Sequence, residues 1–265
     1  MQAHPTPYID INALLEQILS RMQTILGNKL IGLYVFGSLV TGDFDYDSSD
    51  IDLIAATSTE LNEEEIERLK LMHQDIALQE KAWDDRIEVG YISVENLKKS
   101  QSHFPLALIS PGEAFHVTEA DSAWIINRYV LREKGITLFG PPPKILVDPI
   151  PQVELMHAVQ KFIREWREWI TNMEIIRPRK YQAYAILTAC RALYTSRQGK
   201  FVSKKQAALW AEKELPEWSS LIRRALIWRN AWRDEHIDYD ETFPETMRFV
   251  HFALDLCENE LLKFS

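Results

Sequence analysis

Asp50 and Asp52 flank a single isoleucine and lead into Leu53-Ile54, a place where a purely structural strand has little reason to carry two acids. On a strand, residues i and i+2 share a face and lie roughly 7 Å apart, so the two carboxylates repel unless a cation sits between them. Two hard oxygen ligands with room left for water and phosphate oxygens suit Mg²⁺ better than a closed protein cage does. Gly37-Ser38 stands about a dozen residues upstream, after an apolar run. A glycine there allows close backbone approach, and a helix beginning at Ser38 would turn free N–H groups toward a phosphate.

Two other readings compete for residues 43–52. Asp43, Asp45 and Asp47 alternate as in the first half of a calcium loop, but the sixth and twelfth positions are Ser48 and Ile54, where that loop needs Gly and Glu. A merely solvated acidic turn accounts for Asp43 to Asp47 and leaves Asp50 and Asp52 unexplained. A third acid, Glu88, lies within Arg86-Ile87-Glu88-Val89-Gly90-Tyr91-Ile92, where Ile87, Val89 and Tyr91 share one face and Glu88 takes the other. It is a candidate general base. The competing reading is a surface glutamate on an edge strand, with Asp84 and Asp85 as substitutes in the preceding turn.

These residues need a sheet to hold them. Ile11 to Leu26 has helical periodicity, with a stripe of Leu14, Leu15, Ile18, Leu19, Met22 and Ile25, and Asp10 is placed to cap it. Residues 30–36, 51–55 and 87–92 read as buried strands, and a charged helix over 62–82 crosses between the last two. Residues 105–112, with two prolines, read as a loop or lid, and helical periodicity returns over 121–134. Gly140-Pro141-Pro142-Pro143 then breaks the pattern. Beyond Gln152 no strand-like run occurs, and helices are expected at about 152–174, 180–198, 203–214, 218–232 and 244–263. The expectation is therefore a two-domain α+β chain: an α/β catalytic domain over 1–150 and an all-helical bundle over 151–265.

Charge divides along the same line. Residues 1–150 carry 12 Lys and Arg against 23 Asp and Glu, whereas residues 151–265 carry 18 against 16. An acidic half repels a nucleic-acid backbone and suits metal ions and cationic small molecules, so nucleic acid is not an expected partner. No apolar run approaches the roughly 20 residues of a membrane span, and the N-terminus lacks the features of a signal peptide. A cytoplasmic protein with no membrane association is expected. Cys190 and Cys257, the only cysteines, lie in helical apolar patterns and read as reduced core residues.

Gly37-Ser38 with Asp50-Ile51-Asp52 resembles the DNA polymerase β-like nucleotidyltransferase superfamily. Tyr34-Val35-Phe36-Gly37-Ser38-Leu39-Val40-Thr41-Gly42 and Ser49-Asp50-Ile51-Asp52-Leu53 are similar to segments of one branch, the aminoglycoside 3''/9 adenylyltransferases. So are Leu138-Phe139-Gly140-Pro141, Ile186-Leu187-Thr188-Ala189-Cys190-Arg191 and the run from Gly199 to Ala208. The resemblance implies a mixed sheet in the first domain and a monomer that transfers AMP from ATP, with two Mg²⁺ ions, to a hydroxyl of a small molecule such as streptomycin or spectinomycin. It implies Asp50 and Asp52 as metal ligands and Glu88 as the base. It further implies Gly37, Ser38, Arg191 and Lys204 around the triphosphate and Trp228 against the nucleobase. Plainer readings are a snorkelling Arg191, a first-turn Lys204 and a core Trp228.

The acceptor side departs from the family. Arg179-Lys180-Tyr181-Gln182-Ala183 stands where the family has acids, and Ser102-His103-Phe104-Pro105-Leu106 replaces its Trp- and Pro-rich segment. Trp166, Trp169 and Glu174 remain candidates to line a cleft. Two other functions stay open, a nucleotidyltransferase modifying a protein or an RNA end and a non-catalytic nucleotide-binding module. The complete set of Ser38, Asp50, Asp52 and Glu88 speaks against the second.

Overall fold

The computed structural model describes residues 4–98, 103–170, 177–230 and 239–261. The chain divides into two compact units, one of residues 1–44 and 49–150, the other of residues 151–265 with the short stretch 45–48.

The first unit is built on a six-stranded mixed sheet in the order β5-β4-β3-β2-β1-β6. Its strands are β1 (Leu30–Val35), β2 (Ile51–Thr57), β3 (Ile87–Ser93), β4 (Pro105–Ser110), β5 (Glu113–Glu119) and β6 (Ile136–Phe139). β2 and β3 run parallel, joined through the crossover helix α3 (Glu63–Gln79), and the other neighbours are antiparallel. Asn62 and Glu65 form a reciprocal capping box, and Glu63, Glu64 and Glu65 fill the first turn of α3. Those acids satisfy and complement a helix N-terminus, which is their structural purpose.

Helix α1 (Ile9–Leu26) buries Ile11, Leu14, Leu15, Ile18 and Met22, and these share one core with Leu69, Met72 and Ile76 of α3 and with Leu33, Val35, Leu53, Val89 and Tyr91 of the sheet. Leu19 and Ile25 of the expected stripe are only partly buried. The N-cap is Tyr8, so Asp10 lies in the first turn rather than at the cap. Beneath the sheet, buried His73 meets the Tyr91 hydroxyl at 2.7 Å and stacks on Phe115. Burial holds the His73 imidazole down at about 3, so it is a neutral core group.

The opposite face of the sheet takes α2 (Gly37–Thr41) and α5 (Ala123–Lys134). Trp124 of α5 lies so close over Gly90 that a Cβ there would meet its ring at 2.4 Å. The sheet thus offers an apolar floor to α1 and α3, and a second face on which Asp52 and Glu88 emerge.

Two further expectations are corrected, and one element is added. Residues 105–112 are not a loop or lid: β4 and β5 form a hairpin there. Pro105 is the first strand residue and Pro111 lies in the turn, two places where a missing N–H costs the ladder nothing. Residues 136–139 add a short sixth strand, and Gly140 beyond it has φ 88 and a position where a Cβ would meet the Ile31 carbonyl oxygen at 2.1 Å. In the second unit the last helix starts at Tyr239 and carries Pro244 inside it, so the proline does not mark its start.

The described residues of the second unit are helical: α7 (Gln152–Ile170), α8 (Arg179–Gln198), α9 (Lys204–Glu214), α10 (Ser219–Asn230) and α11 (Tyr239–Leu261), with α4 (Val94–Lys98) and α6 (Pro143–Leu146) belonging to the first. α8 is the central element, burying Ala185, Ile186, Ala189, Cys190 and Leu193. Cys190 and Cys257 are both buried free thiols, and burial raises the Cys190 thiol. No helix among the described residues is long and apolar enough to cross a membrane. Residues 171–174, 231–232 and 262–263 of the expected helices, Ser102, Glu174 and the side chain of Trp169 lie outside the described residues.

Candidate active site

Parallel pairing of β2 with β3 sets Asp52 directly beside Glu88. Paired residues on neighbouring strands project to the same face with their α-carbons about 5 Å apart. Asp50 precedes β2 by one residue, and the ladder closes immediately after it, where the Ile51 N–H donates to the Arg86 carbonyl at 2.9 Å. Asp50, Asp52 and Glu88 are all half-buried. β3 lies between β2 and β4, so Glu88 is not an edge-strand surface residue, and Asp84 and Asp85 fall before the strand.

Arg86 is the residue that locks this register, and spacing alone does not reveal it. Its Nε and Nη2 both donate to the Ser49 carbonyl, at 3.2 and 2.5 Å, while its guanidinium lies over the Trp83 ring. The clasp holds the entry to β2 against the entry to β3, so the segment carrying Asp50 is tied to the segment carrying Glu88. Upstream, Asp45 accepts hydrogen bonds from the Asp47 and Ser48 N–H groups and from the Ser48 hydroxyl. That carboxylate is spent on a turn, which is the physical meaning of the Asp43-Asp45-Asp47 alternation.

Gly37 has φ 66, and a Cβ there would sit 1.8 Å from Asp52 Oδ2. The glycine makes room for the Asp52 carboxylate. Ser38 then donates its N–H to Asp52 Oδ2 at 3.3 Å, so the second amide of α2 serves the aspartate, where the sequence suggests an amide free for a phosphate. The Ser38 hydroxyl is buried and has no partner among the described residues. A buried hydroxyl without a hydrogen bond, on a residue whose N–H meets the Asp52 carboxylate, is a group suited to a ligand that completes it. Gly37→Ala forces an alanine into a left-handed conformation at a cost of about 1–3 kcal/mol and also displaces Asp52. Thermal unfolding of the variant is expected to shift downward, and an unchanged midpoint would contradict this packing.

Burial first, then the Asp50 and Glu113 carboxylates, push the Glu88 carboxyl up to about 7. Between its usual 4.5 and that value the folded protein keeps a proton that the unfolded chain has released, so stability falls as pH rises through this window. Glu88→Gln removes the ionisation, and without added cation it is expected to exceed the parent by roughly 3 kcal/mol at pH 8 and to match it near pH 4. Denaturant titrations with a chelator present at the two pH values check this. Equal stabilities at pH 8 would show that Glu88 carries no such charge conflict.

The second unit holds the basic candidates. Arg191 lies on α8 with its guanidinium 4.6 Å from the Phe201 ring centroid. Lys204 is the first residue of α9, behind an N-cap Ser203 whose hydroxyl accepts from the Gln206 N–H. Its ammonium sits 3.9 Å from the ring centroid of Tyr184, an α8 residue that is 40% exposed. Thr188, one turn from both Tyr184 and Arg191 on that helix, buries a hydroxyl without a partner among the described residues. Trp228 is placed differently. It is 6% exposed, and Arg179 and Arg224 lie over its ring at 5.0 and 5.5 Å. Trp166 is likewise buried and stacks on Phe162.

Residues 15–105 match the family model described as nucleotidyltransferase domain, and residues 145–255 match that described as aminoglycoside adenylyltransferase, C-terminal domain. The chain thus carries, in order, a region similar to nucleotidyltransferase domains and a region similar to the C-terminal domain of aminoglycoside adenylyltransferases. An aminoglycoside (3'') (9) adenylyltransferase of Shigella flexneri is 23% identical over 92% of this chain and 94% of its own length. A spectinomycin 9-adenylyltransferase of Staphylococcus aureus is 25% identical over 76% of this chain and 78% of its own length. Among solved structures, a spectinomycin adenyltransferase from Enterococcus faecialis with ATP and spectinomycin superposes with a TM-score of 0.73 at 20% identity, covering 92% of this chain and 98% of that one. The mixed sheet followed by a helical region is thus a fold shared with that spectinomycin adenyltransferase.

The donor set fits magnesium. Among the described residues no three His, Cys, Asp or Glu side chains close into a ready-made cage. Mg²⁺ does not require one, because it keeps several waters and is ordinarily held by one or two carboxylates together with substrate phosphates. Asp50 and Asp52 provide such a pair, and the repulsion that raises Glu88 is the kind that a bound cation relieves.

Proposed function

We propose that the chain is a magnesium-dependent adenylyltransferase that moves AMP from ATP to a hydroxyl of a small, cationic polyol of the aminoglycoside or aminocyclitol type. The observation that carries the reading is the Asp52–Glu88 pairing on adjacent parallel strands, with Gly37 and Ser38 packed on the Asp52 carboxylate. Residues 1–150 act as the nucleotidyltransferase domain and residues 151–265 as the helical domain. The protein works as a cytoplasmic monomer, where ATP and Mg²⁺ are abundant.

Asp50 and Asp52 hold Mg²⁺, which would offset charge on the triphosphate and on the departing pyrophosphate. Glu88 accepts the proton of the attacking hydroxyl. The hydroxyl oxygen bonds to the α-phosphorus, the bond from that phosphorus to the bridging oxygen breaks, and pyrophosphate leaves with its electrons. Ser38 offers its buried hydroxyl to a phosphate oxygen, and Arg191 and Lys204 bring positive charge to the leaving group. Trp228 acts as a packing residue beneath Arg179 and Arg224 and not as the base-stacking ring. The support for Arg191 and Lys204 is their aromatic neighbours, whose ring faces hold the two cations in place.

ATP labelled at the α-phosphorus tests the reading against streptomycin and spectinomycin. Label is expected on the acceptor only when Mg²⁺ is present, while label at the γ-phosphorus leaves as pyrophosphate. Transfer of γ-label to the acceptor would make the protein a kinase and sink the proposal.

A further inference from the structure

We propose that Glu113 is a specificity-determining residue, the carboxylate that takes an ammonium or guanidinium group of the acceptor. The inference rests on the adenylyl-transfer reading above and extends it to a named contact. Its basis is the register of the sheet. Asp52 of β2 pairs with Glu88 of β3, Val89 pairs with Ile109 of β4, and Ser110 pairs with Glu113 of β5. Carrying the β3–β4 register one residue outward sets Glu88 opposite Ser110. A single row, Asp52, Glu88, Ser110 and Glu113, therefore crosses four strands.

Simple alternation along β5 would not put Glu113 in that row. Phe115, two residues on, packs against Tyr91 and His73 on the far side of the sheet. Between the pairs Leu108–His116 and Ser110–Glu113, however, β4 advances two residues and β5 three. The extra β5 residue is a bulge, and a one-residue slip turns the following side chain to the other face. Glu113 consequently shares the Glu88 face, where the Ser110 hydroxyl donates to its Oε2 at 3.3 Å. The repulsion that Glu113 exerts on Glu88 agrees with this placement.

The hairpin is also pinned. Gly112 donates its N–H to Asp85 Oδ1 at 2.5 Å, and Asp85 holds φ 59, a conformation that few non-glycine residues adopt. The clasp ties the tip of β4–β5 to the turn immediately before β3, fixing Glu113 relative to Glu88. The Glu113 side chain is 59% exposed, and the His116 Nε2 lies 3.7 Å from its Oε2, beyond hydrogen-bond range.

The row has a direction. Its Asp52 end, with Gly37 and Ser38, is the nucleotide end, and Glu88 meets the reacting hydroxyl. Glu113 lies two strands further from the nucleotide, about 10 Å from Glu88 at normal strand spacing. A polycyclic polyol whose hydroxyl reacts at Glu88 would extend over Ser110 and bring a substituent to Glu113. An accessible carboxylate at that position selects a cation and repels an anion.

The test measures calorimetric binding of streptomycin and of spectinomycin to the full chain with Mg²⁺ and a non-hydrolysable ATP analogue, alongside steady-state pyrophosphate release. Glu113→Gln is expected to raise acceptor Kd and KM about tenfold or more, with kcat and the KM for ATP within about threefold of the parent, and Glu113→Asp to recover part of the affinity. Unchanged acceptor affinity in Glu113→Gln overturns the assignment, as does a fall in kcat at constant Kd. A parent protein that binds neither cation overturns it as well. Binding that depends on Glu113 without any pyrophosphate release would keep the cation site and reject the transferase reading instead.

Discussion

Asp52→Asn is expected to lower AMP transfer by about 10³-fold or more, because losing a metal ligand removes several kcal/mol of charge stabilisation in the transition state. The fold should tolerate the change. The Asp52 backbone carbonyl accepts from the Phe36 N–H at 3.0 Å, and its Oδ2 accepts from the Ser38 N–H, a bond that an asparagine oxygen reproduces. What asparagine lacks is charge. A cation held by Asp50 alone would bind weakly, so raising Mg²⁺ should restore only part of the rate. Unfolding midpoints equal to the parent's, measured beside the rate, separate this chemical loss from a structural one. Activity within about tenfold of the parent would remove Asp52 from the catalytic centre.

Glu88→Gln has the second large effect, a fall in kcat of about 10²–10⁴-fold with ATP affinity retained, as for the loss of a general base. The pH dependence supplies a signature that a structural role would not produce. The ionised carboxylate is the active form, and in the cation-free protein it forms only as pH rises through about 7. Transfer should therefore increase with pH and then level off, with a bound cation moving the rise to lower pH. In Glu88→Gln the slow residual rate should lose that rise. If ATP and Mg²⁺ binding disappear along with turnover, Glu88 is a metal ligand and not the base.

The acidic core of this site was legible in the sequence because its geometry is local. Asp50-x-Asp52 has the period-two spacing of a strand, although β2 itself begins at Ile51, and Glu88 stands against the apolar alternation of Ile87, Val89 and Tyr91. That these two strands are parallel neighbours in register is a long-range fact, set by the α3 crossover and the Arg86 clasp on Ser49, which no spacing rule encodes. Gly37 was read as a place for close phosphate approach, whereas the structure uses its missing Cβ for the Asp52 carboxylate. The hairpin of β4 and β5 was hidden by Pro105 and Pro111, since both stand at positions that a strand end or turn tolerates. With the hairpin unseen, Glu113 could not be linked to Glu88, because the bulge that turns it to the active face is a property of the pairing and not of either strand alone. In the helical unit, periodicity located the helices well, but it could not tell a stacking tryptophan from a packing one. The structure adds that two arginines lie over the Trp228 ring.

The central claim is that carboxylates paired across β2 and β3 catalyse adenylyl transfer. Mass spectrometry of the acceptor tests it most directly, after incubation of parent and Asp52→Asn protein with ATP, Mg²⁺ and either streptomycin or spectinomycin. The parent is expected to add one AMP per modified acceptor and to release one pyrophosphate with it, and the variant to do neither. An adduct formed equally by both proteins would contradict the site, and pyrophosphate released without any modified acceptor would contradict the reaction.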